Sequence, residues 1–196
     1  MKKIIVQYDD IYKGNCKLEV FEELKKEFPD FKVTFFVIMY DFNTPEFIQS
    51  LKKDWIELVY HADEHRGDWL KWTKEEAKEN ILKCQKYGFA KCFKSPGWRL
   101  TKPIVEAINE LGYSDCICGT EPMLREIRPN KAWVTRHLGF NEYKDYAEMY
   151  GHIQEPDFMD NINKLKAYLR KNEGDFKFIS EVVSENYILD ESKIKK

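Results

Sequence analysis

An acidic pair, Asp9 and Asp10, closes the first apolar run of the chain, and His61-Ala-Asp-Glu-His65 closes a later one. Carboxylates and imidazoles offer oxygen and nitrogen donors to a divalent ion of the zinc type, and three protein ligands leave a coordination position for water. The chemistry expected of such a set is metal-assisted hydrolysis. Each feature alone is ambiguous, because an Asp-Asp pair after a strand also serves as a cap or turn. The H-x-x-x-H spacing is more informative, since two imidazoles so spaced chelate from one face of a helix or from a loop. Two further polar groups follow apolar runs: Lys94-Ser-Pro96-Gly-Trp98-Arg99 and Gly151-His152. His137, after Trp133-Val-Thr-Arg, has less supporting context. Asp63 and Glu64, between the paired histidines, are read as solvated groups or as carboxylates that orient an imidazole N–H.

The elements that must carry these residues alternate between strand and helix. Lys2 to Tyr8 reads as a buried strand, and Leu18, Phe21, Leu24 and Phe28 recur at helical spacing until Pro29. Lys32 to Ile38, rich in β-branched and aromatic residues, is a second strand, and Thr44-Pro45 caps the next helix. Ile56 to Tyr60 is a third strand, after which Thr73-Lys-Glu-Glu76 forms a capping box for a helix ending near Gly88. Ala90 to Phe93 is a short strand, Thr101 to Leu111 a helix stopped by Gly112, and Tyr113 to Cys118 a strand. Residues 119–131 read as loop. Weaker strands are expected at Trp133 to Thr135 and Ala147 to Tyr150, then a helix through Phe158, Ile162, Leu165 and Leu169, and a last strand from Phe176 to Val182. This alternation predicts a parallel sheet, and without a glycine-rich phosphate loop a closed α/β barrel is favoured over an open nucleotide-binding sheet. In such a barrel the loops after the strand C-termini share one face, and all four polar groups fall there.

Composition narrows the function classes. The 196 residues are 43% hydrophobic and 15% aromatic, enough for one core and one domain. With 32 basic and 34 acidic side chains the formal net charge is -2, and no nucleic-acid footprint is visible. No apolar stretch approaches a membrane span, and the acidic pair at positions 9 and 10 leaves no room for a removable leader, so a cytoplasmic protein is expected. Five cysteines without zinc-finger spacing are read as buried, reduced thiols. The catalytic domain is placed at 1–183 and a C-terminal surface extension at 184–196.

Together, over most of residues 3 to 182, these features resemble the polysaccharide deacetylase family, the NodB homology domain of carbohydrate esterase family 4. Gln7-Tyr8-Asp9-Asp10-Ile11 is similar to its Thr-Phe-Asp-Asp-Gly motif, His61-Ala-Asp-Glu-His65 to its metal motif, and Lys94-Ser-Pro96-Gly97-Trp98 to Arg-x-Pro-x-Gly. His152 sits where the family's late histidine would be. The resemblance implies a NodB-like, distorted (β/α) barrel of about seven parallel strands. It implies that Asp10, His61 and His65 hold one divalent metal, with zinc expected and cobalt, nickel, iron or manganese as alternatives. Asp9 would be the general base and His152, or failing that His137, the acid; Lys94, Pro96, Trp98 and Arg99 would support substrate or base. The implied reaction is hydrolysis of a non-peptide C–N bond, foremost N-deacetylation of an N-acetylated amino sugar, on a small-molecule or oligosaccharide substrate. Relatives of this kind also suggest another amide, a cyclic ureide or nucleobase-like metabolite, or a catalytically silent carbohydrate-binding protein. Three departures mark a divergent branch: Ile11 for glycine, Ala62 for a hydroxyl residue, and Lys94 for the arginine that normally pairs with the base. Lysine keeps the charge but not the bidentate fork, which Arg99 is close enough in sequence to supply. Trp98 is left as either a wall for a sugar ring or core.

Overall fold

The computed structural model describes residues 1–41, 43–118, 128–135 and 137–183, with the side chains of residues 117 and 118 excepted. Most of the expected 119–131 loop and the whole of the expected extension at 184–196 lie outside the described residues. Strand β1 (Lys2–Ile11), helix α1 (Leu18–Glu27), β2 (Val33–Val37), α2 (Pro45–Ser50) and β3 (Ile56–Tyr60) follow the alternation expected from sequence. So do α3 (Lys74–Lys83), β4 (Cys92–Phe93), α4 (Lys102–Leu111), β5 (Ser114–Cys118) and β6 (Ala132–Thr135). The chain then departs from strict alternation through β7 (Gly139–Glu142) and β8 (Tyr146–His152), before α5 (Phe158–Leu169), β9 (Gly174–Lys177) and α6 (Ile179–Val182).

The strands form one nine-stranded curled sheet in the order β6-β5-β4-β3-β2-β1-β8-β7, with β9 paired to β1. Every pairing is parallel except β7 with β8, an antiparallel strand that the expectation of about seven parallel strands did not include. Its sequence, Gly-Phe-Asn-Glu, is too short and polar to announce a strand. Since β8 runs along one edge of β1 from Lys3 to Asp9, β2 and β9 must divide the other edge between Gln7–Ile11 and Lys2–Ile5. The last strand also differs from expectation. It ends at Lys177 because Ile179 begins a helical turn, in which the Ser180 N–H and hydroxyl both donate to the Glu57 side chain.

Burial on both faces explains the near-continuous apolar runs of β2 (VTFFV) and β3 (IELVY). Ile4, Val6 and Tyr8 pack outward against Phe21 of α1 and Ile162 of α5, whereas Ile5 joins Phe36, Val59, Cys92, Cys116 and Ile179 in a smaller inner cluster. Where β6 and β8 are not paired through backbone, side chains join them. Glu148 accepts hydrogen bonds from Gln7 (2.6 Å), Trp133 (2.9 Å) and Thr135 (3.2 Å) inside the curl. Thr73 and Glu76 form the expected capping box, and Thr44 and Thr101 cap their helices. Cys84, Cys92 and Cys116 are buried and unpaired as expected, Cys16 is unpaired but only half-buried, and the Cys118 side chain lies outside the described residues. No helix among the described residues is long and apolar enough to cross a membrane.

One buried carboxyl carries a stability consequence. Asp115 is inaccessible, and neither of its oxygens makes a well-formed hydrogen bond. Burial pushes this carboxyl up to about 8, against weaker opposing pulls from the Cys116 N–H and the Lys94 charge. Between the unfolded-state value near 4 and about 8, the native state therefore keeps a proton that the unfolded chain has released. Stability falls as pH rises through that window, at up to about 1.4 kcal/mol per pH unit. Asp115→Asn should flatten this slope and be the more stable protein at pH 8. Urea midpoints for both proteins at pH 5 and pH 8 check it, and parallel behaviour would reject the assignment.

Candidate metal and acid-base site

The site is assembled at the C-terminal ends of β1, β3, β4 and β8. Along β1 side chains alternate between the two faces, so Asp9 and Asp10 would ordinarily point apart. The pairing of β1 with β2 slips between Tyr8 and Ile11, and Asp10 takes a left-handed backbone (φ 59°). An irregularity of this kind re-aims a side chain, and both carboxylates reach the mouth of the curl. Asn15 holds the turn by donating to the Asp10 carbonyl at 2.8 Å. Ala62 (φ 60°) after His61 and Trp98 (φ 60°) after Lys94 adopt the same backbone, uncommon for residues other than glycine.

Asp10, His61 and His65 each offer one atom within 4.8 Å of the others. Asp10 Oδ1 lies 3.5 Å from His61 Nε2 and 3.4 Å from His65 Nε2. Two atoms bonded at about 2.1 Å to a tetrahedral ion stand about 3.4 Å apart, so the spacing fits. The donor chemistry fits as well. His61 Nδ1 lies 2.7 Å from the Lys94 carbonyl, which can only accept, so Nδ1 carries the proton and Nε2 presents its lone pair. That lone pair faces Asp10 Oδ1, a buried oxygen without a hydrogen-bond partner. Gln154 donates to the other oxygen, Asp10 Oδ2, at 2.7 Å. Asp10, His61 and His65 could thus hold a divalent ion. His61 is buried and His65 exposed, so the His65 side is the open one.

Asp9 is set differently. Its Oδ1 accepts from Lys94 Nζ at 2.6 Å and its Oδ2 from the Tyr150 hydroxyl at 3.0 Å. His152 Nε2 stands 3.8 Å from the same Oδ2. The Lys94 ammonium is fully buried and enclosed by three rings, with Phe36, Trp98 and Tyr150 centroids at 4.3, 4.2 and 4.1 Å. Of Lys94 and Arg99, it is Lys94 that meets Asp9. Arg99 is exposed, and it is its carbonyl that is engaged, by the Trp69 indole at 3.2 Å and by Ser95. Trp98 is half-buried and packs edge-on against Tyr150, while Pro96 is buried beneath the turn. His152, not the exposed His137, faces Asp9.

Asp63 does not orient an imidazole. It accepts from the Tyr60 hydroxyl at 2.8 Å and pairs with Lys83, and the orienting group on His61 is the Lys94 carbonyl. Phe36, Tyr150 and Gln154 were not read from the sequence as site residues. Tyr150 carried a usable signal, standing two residues before His152 and so on the same face of β8.

A buried ion pair is strongly destabilised when one partner is removed, by about 3–5 kcal/mol, because the other charge is left unpaired. Lys94→Met should cost that much in denaturant unfolding, and Asp9→Asn placed on top of it should recover a large part. Additive losses in the double variant would show that the two side chains are not coupled.

The sequence matches no family model and no curated protein. Solved structures do match. Bacillus subtilis PdaA, a family 4 carbohydrate esterase, aligns with a TM-score of 0.65 at 16% identity over 92% of this chain and 80% of its own. A peptidoglycan N-acetylglucosamine deacetylase aligns with a TM-score of 0.61 at 14% identity over 91% of this chain and 86% of its own. A family 4 pseudoenzyme from Bacillus anthracis aligns with a TM-score of 0.63 at 15% identity, covering 94% and 66% of the two chains. The fold of this chain is that of the family 4 carbohydrate esterases, the NodB-like α/β barrel.

Proposed function

We propose that this protein is a metal-dependent hydrolase of non-peptide C–N bonds, removing the acetyl group from an N-acetylated amino sugar. The observation that carries the proposal is the meeting of three ligand atoms within 4.8 Å beside a carboxylate whose two oxygens are separately fixed. Deacetylases among the structures of this fold support the same reading. Asp10, His61 and His65 would hold the ion, which when bound supplies Lewis acidity to an acyl oxygen and acidifies water. Asp9 accepts the proton of the attacking water. Lys94 occupies Oδ1, which leaves Oδ2 as the oxygen that can receive it, and the Tyr150 hydroxyl keeps that oxygen in place. His152, facing Oδ2 from 3.8 Å, delivers a proton to the departing amine. Zinc suits two nitrogens and one oxygen, as do cobalt, nickel, iron and manganese.

A silent, sugar-binding reading has two observations in its favour: Asp9 is only 2% exposed with both its oxygens already accepting hydrogen bonds, and a pseudoenzyme shares the fold. One experiment separates the two. Protein stripped of metal and reloaded with zinc should release acetate from N-acetylglucosamine oligomers. Asp9→Asn should keep its metal and lose about 10²–10⁴-fold in kcat/KM, the usual worth of a positioned acid or base. Asp10→Ala should fail to retain metal by elemental analysis. Equal metal loss in both variants would reject the division of roles, and a folded protein that takes up no metal would reject the function.

A further inference from the structure

Asp10 is enclosed in a short ring of hydrogen bonds drawn from two turns. Asn15, in the turn between β1 and α1, donates through Nδ2 both to the Asp10 carbonyl at 2.8 Å and to Gln154 Oε1 at 3.2 Å. Gln154, in the turn after β8, donates through Nε2 to Asp10 Oδ2 at 2.7 Å. Asp10 closes the ring at both ends, with oxygens that only accept. The sense of each amide is thereby dictated. The Asn15 NH₂ must face the carbonyl and the Gln154 NH₂ must face the carboxylate, which leaves Gln154 Oε1 for the second Asn15 hydrogen.

Both turns are braced from behind. Asn15 and Tyr12 exchange backbone hydrogen bonds at 2.8 and 3.3 Å. The Lys17 ammonium donates to the Ile153 carbonyl at 3.0 Å and rests 4.4 Å from the Phe158 ring centre. Gln154 is exposed, yet both polar atoms at its tip are engaged. A side chain that only covered the surface would not need an amide matched in direction at both ends. The consequence falls on the Asp10 carboxylate: Oδ2 is occupied, and Oδ1, buried and without a hydrogen-bond partner, is the single oxygen turned to His61 Nε2 and His65 Nε2.

We propose that Gln154, held by Asn15, sets the metal preference of this site by occupying Oδ2 and so restricting Asp10 to binding through one oxygen. The proposal rests on the reading of Asp10, His61 and His65 as metal ligands. One carboxylate oxygen beside two imidazoles is a three-donor set suited to an ion of the zinc type, which is satisfied by about four ligands. Manganese can use the same three donors, but an ion that collects about six ligands and favours oxygen gains from a carboxylate able to offer both of its oxygens. Here the second oxygen is already engaged. Gln154 is a positioning residue, acting on the ion only through Asp10.

Metal-stripped protein titrated with zinc and with manganese against a chelating indicator gives the two dissociation constants and their ratio, with no substrate involved. Gln154→Leu keeps most of the side-chain bulk and removes the donor. It should narrow the zinc-over-manganese preference by about 10–100-fold, the scale on which partners of metal ligands act, and leave the thermal midpoint of the metal-free protein unchanged. Gln154→Ala should narrow it to the same extent. Asn15→Ala should narrow it in the wild-type background and no further in the Gln154→Leu background, because Asn15 acts through Gln154. A merely structural loss would weaken both metals alike and leave the ratio in place. A narrowed ratio supports the proposal whether or not acetate is released from any substrate. A ratio unmoved in both Gln154 variants, or additive effects of Asn15→Ala and Gln154→Leu, overturns it and leaves the deacetylase reading standing. Folded wild-type protein that takes up neither metal overturns both.

Discussion

Lys94 makes two contacts in opposite directions, and the site depends on their being made by one residue. Its carbonyl accepts a hydrogen bond from His61 Nδ1–H, which fixes the tautomer that leaves the Nε2 lone pair free. Its ammonium reaches Asp9. Its own N–H donates to the Tyr60 carbonyl, joining the end of β4 to the end of β3. The His61 donor and the Asp9 carboxylate are therefore held by a single residue, and neither can shift without disturbing the other.

That position sits among backbone conformations that sheets do not normally hold. Asp10 near the end of β1, Ala62 just beyond β3 and Trp98 in the turn beyond β4 each have φ near +60°. A left-handed conformation costs a residue with a Cβ roughly 1–2 kcal/mol, so three of them represent a sizeable fraction of a domain's stability. They persist because the packing around them over-determines the chain: buried parallel strands below, and Pro96, Ala62 and the Asn15 bridge above. Strain gathered at a strand mouth is what a site needs when consecutive or near-consecutive residues must face the same way.

The same features explain what was legible in the sequence. Asp9, Asp10, His61, His65, Lys94 and His152 could be found because chemistry-bearing residue types ended apolar runs, and the end of an apolar run is where a parallel strand delivers its last side chain. The helices were legible through their caps, as with Thr73 and Glu76. The β7 strand was not, since four residues of mixed polarity carry no periodicity. The α6 helix read as strand because Phe-Ile-Ser-Glu-Val-Val is strand-like locally, and the partner that turns it into a helix start, Glu57, is 123 residues away from Ser180. Phe36 and Gln154 were hidden for a similar reason. Their importance is set by register across neighbouring strands and by loop return, neither of which is a local property.

The lysine at the position where the family that the sequence resembles has arginine then has a physical account that the sequence alone did not offer. A guanidinium delivers two parallel donors to one carboxylate from one plane. An ammonium is compact and delivers one such contact, so a lysine in that place leaves a carboxylate oxygen unanswered and a strongly hydrated charge to be buried. Tyr150 answers the free oxygen of Asp9 with its hydroxyl, and its ring, with those of Phe36 and Trp98, replaces the lost water around Nζ. Cation–π contacts are worth about 2 kcal/mol or more when desolvated, enough to offset part of what burial costs the ammonium. The two donors on Asp9 thus come from separate elements, the end of β4 and the middle of β8, instead of from one side chain. Lysine, tyrosine and tryptophan form one unit here, and a change at any of the three alters how the Asp9 carboxylate beside Asp10, His61 and His65 is held.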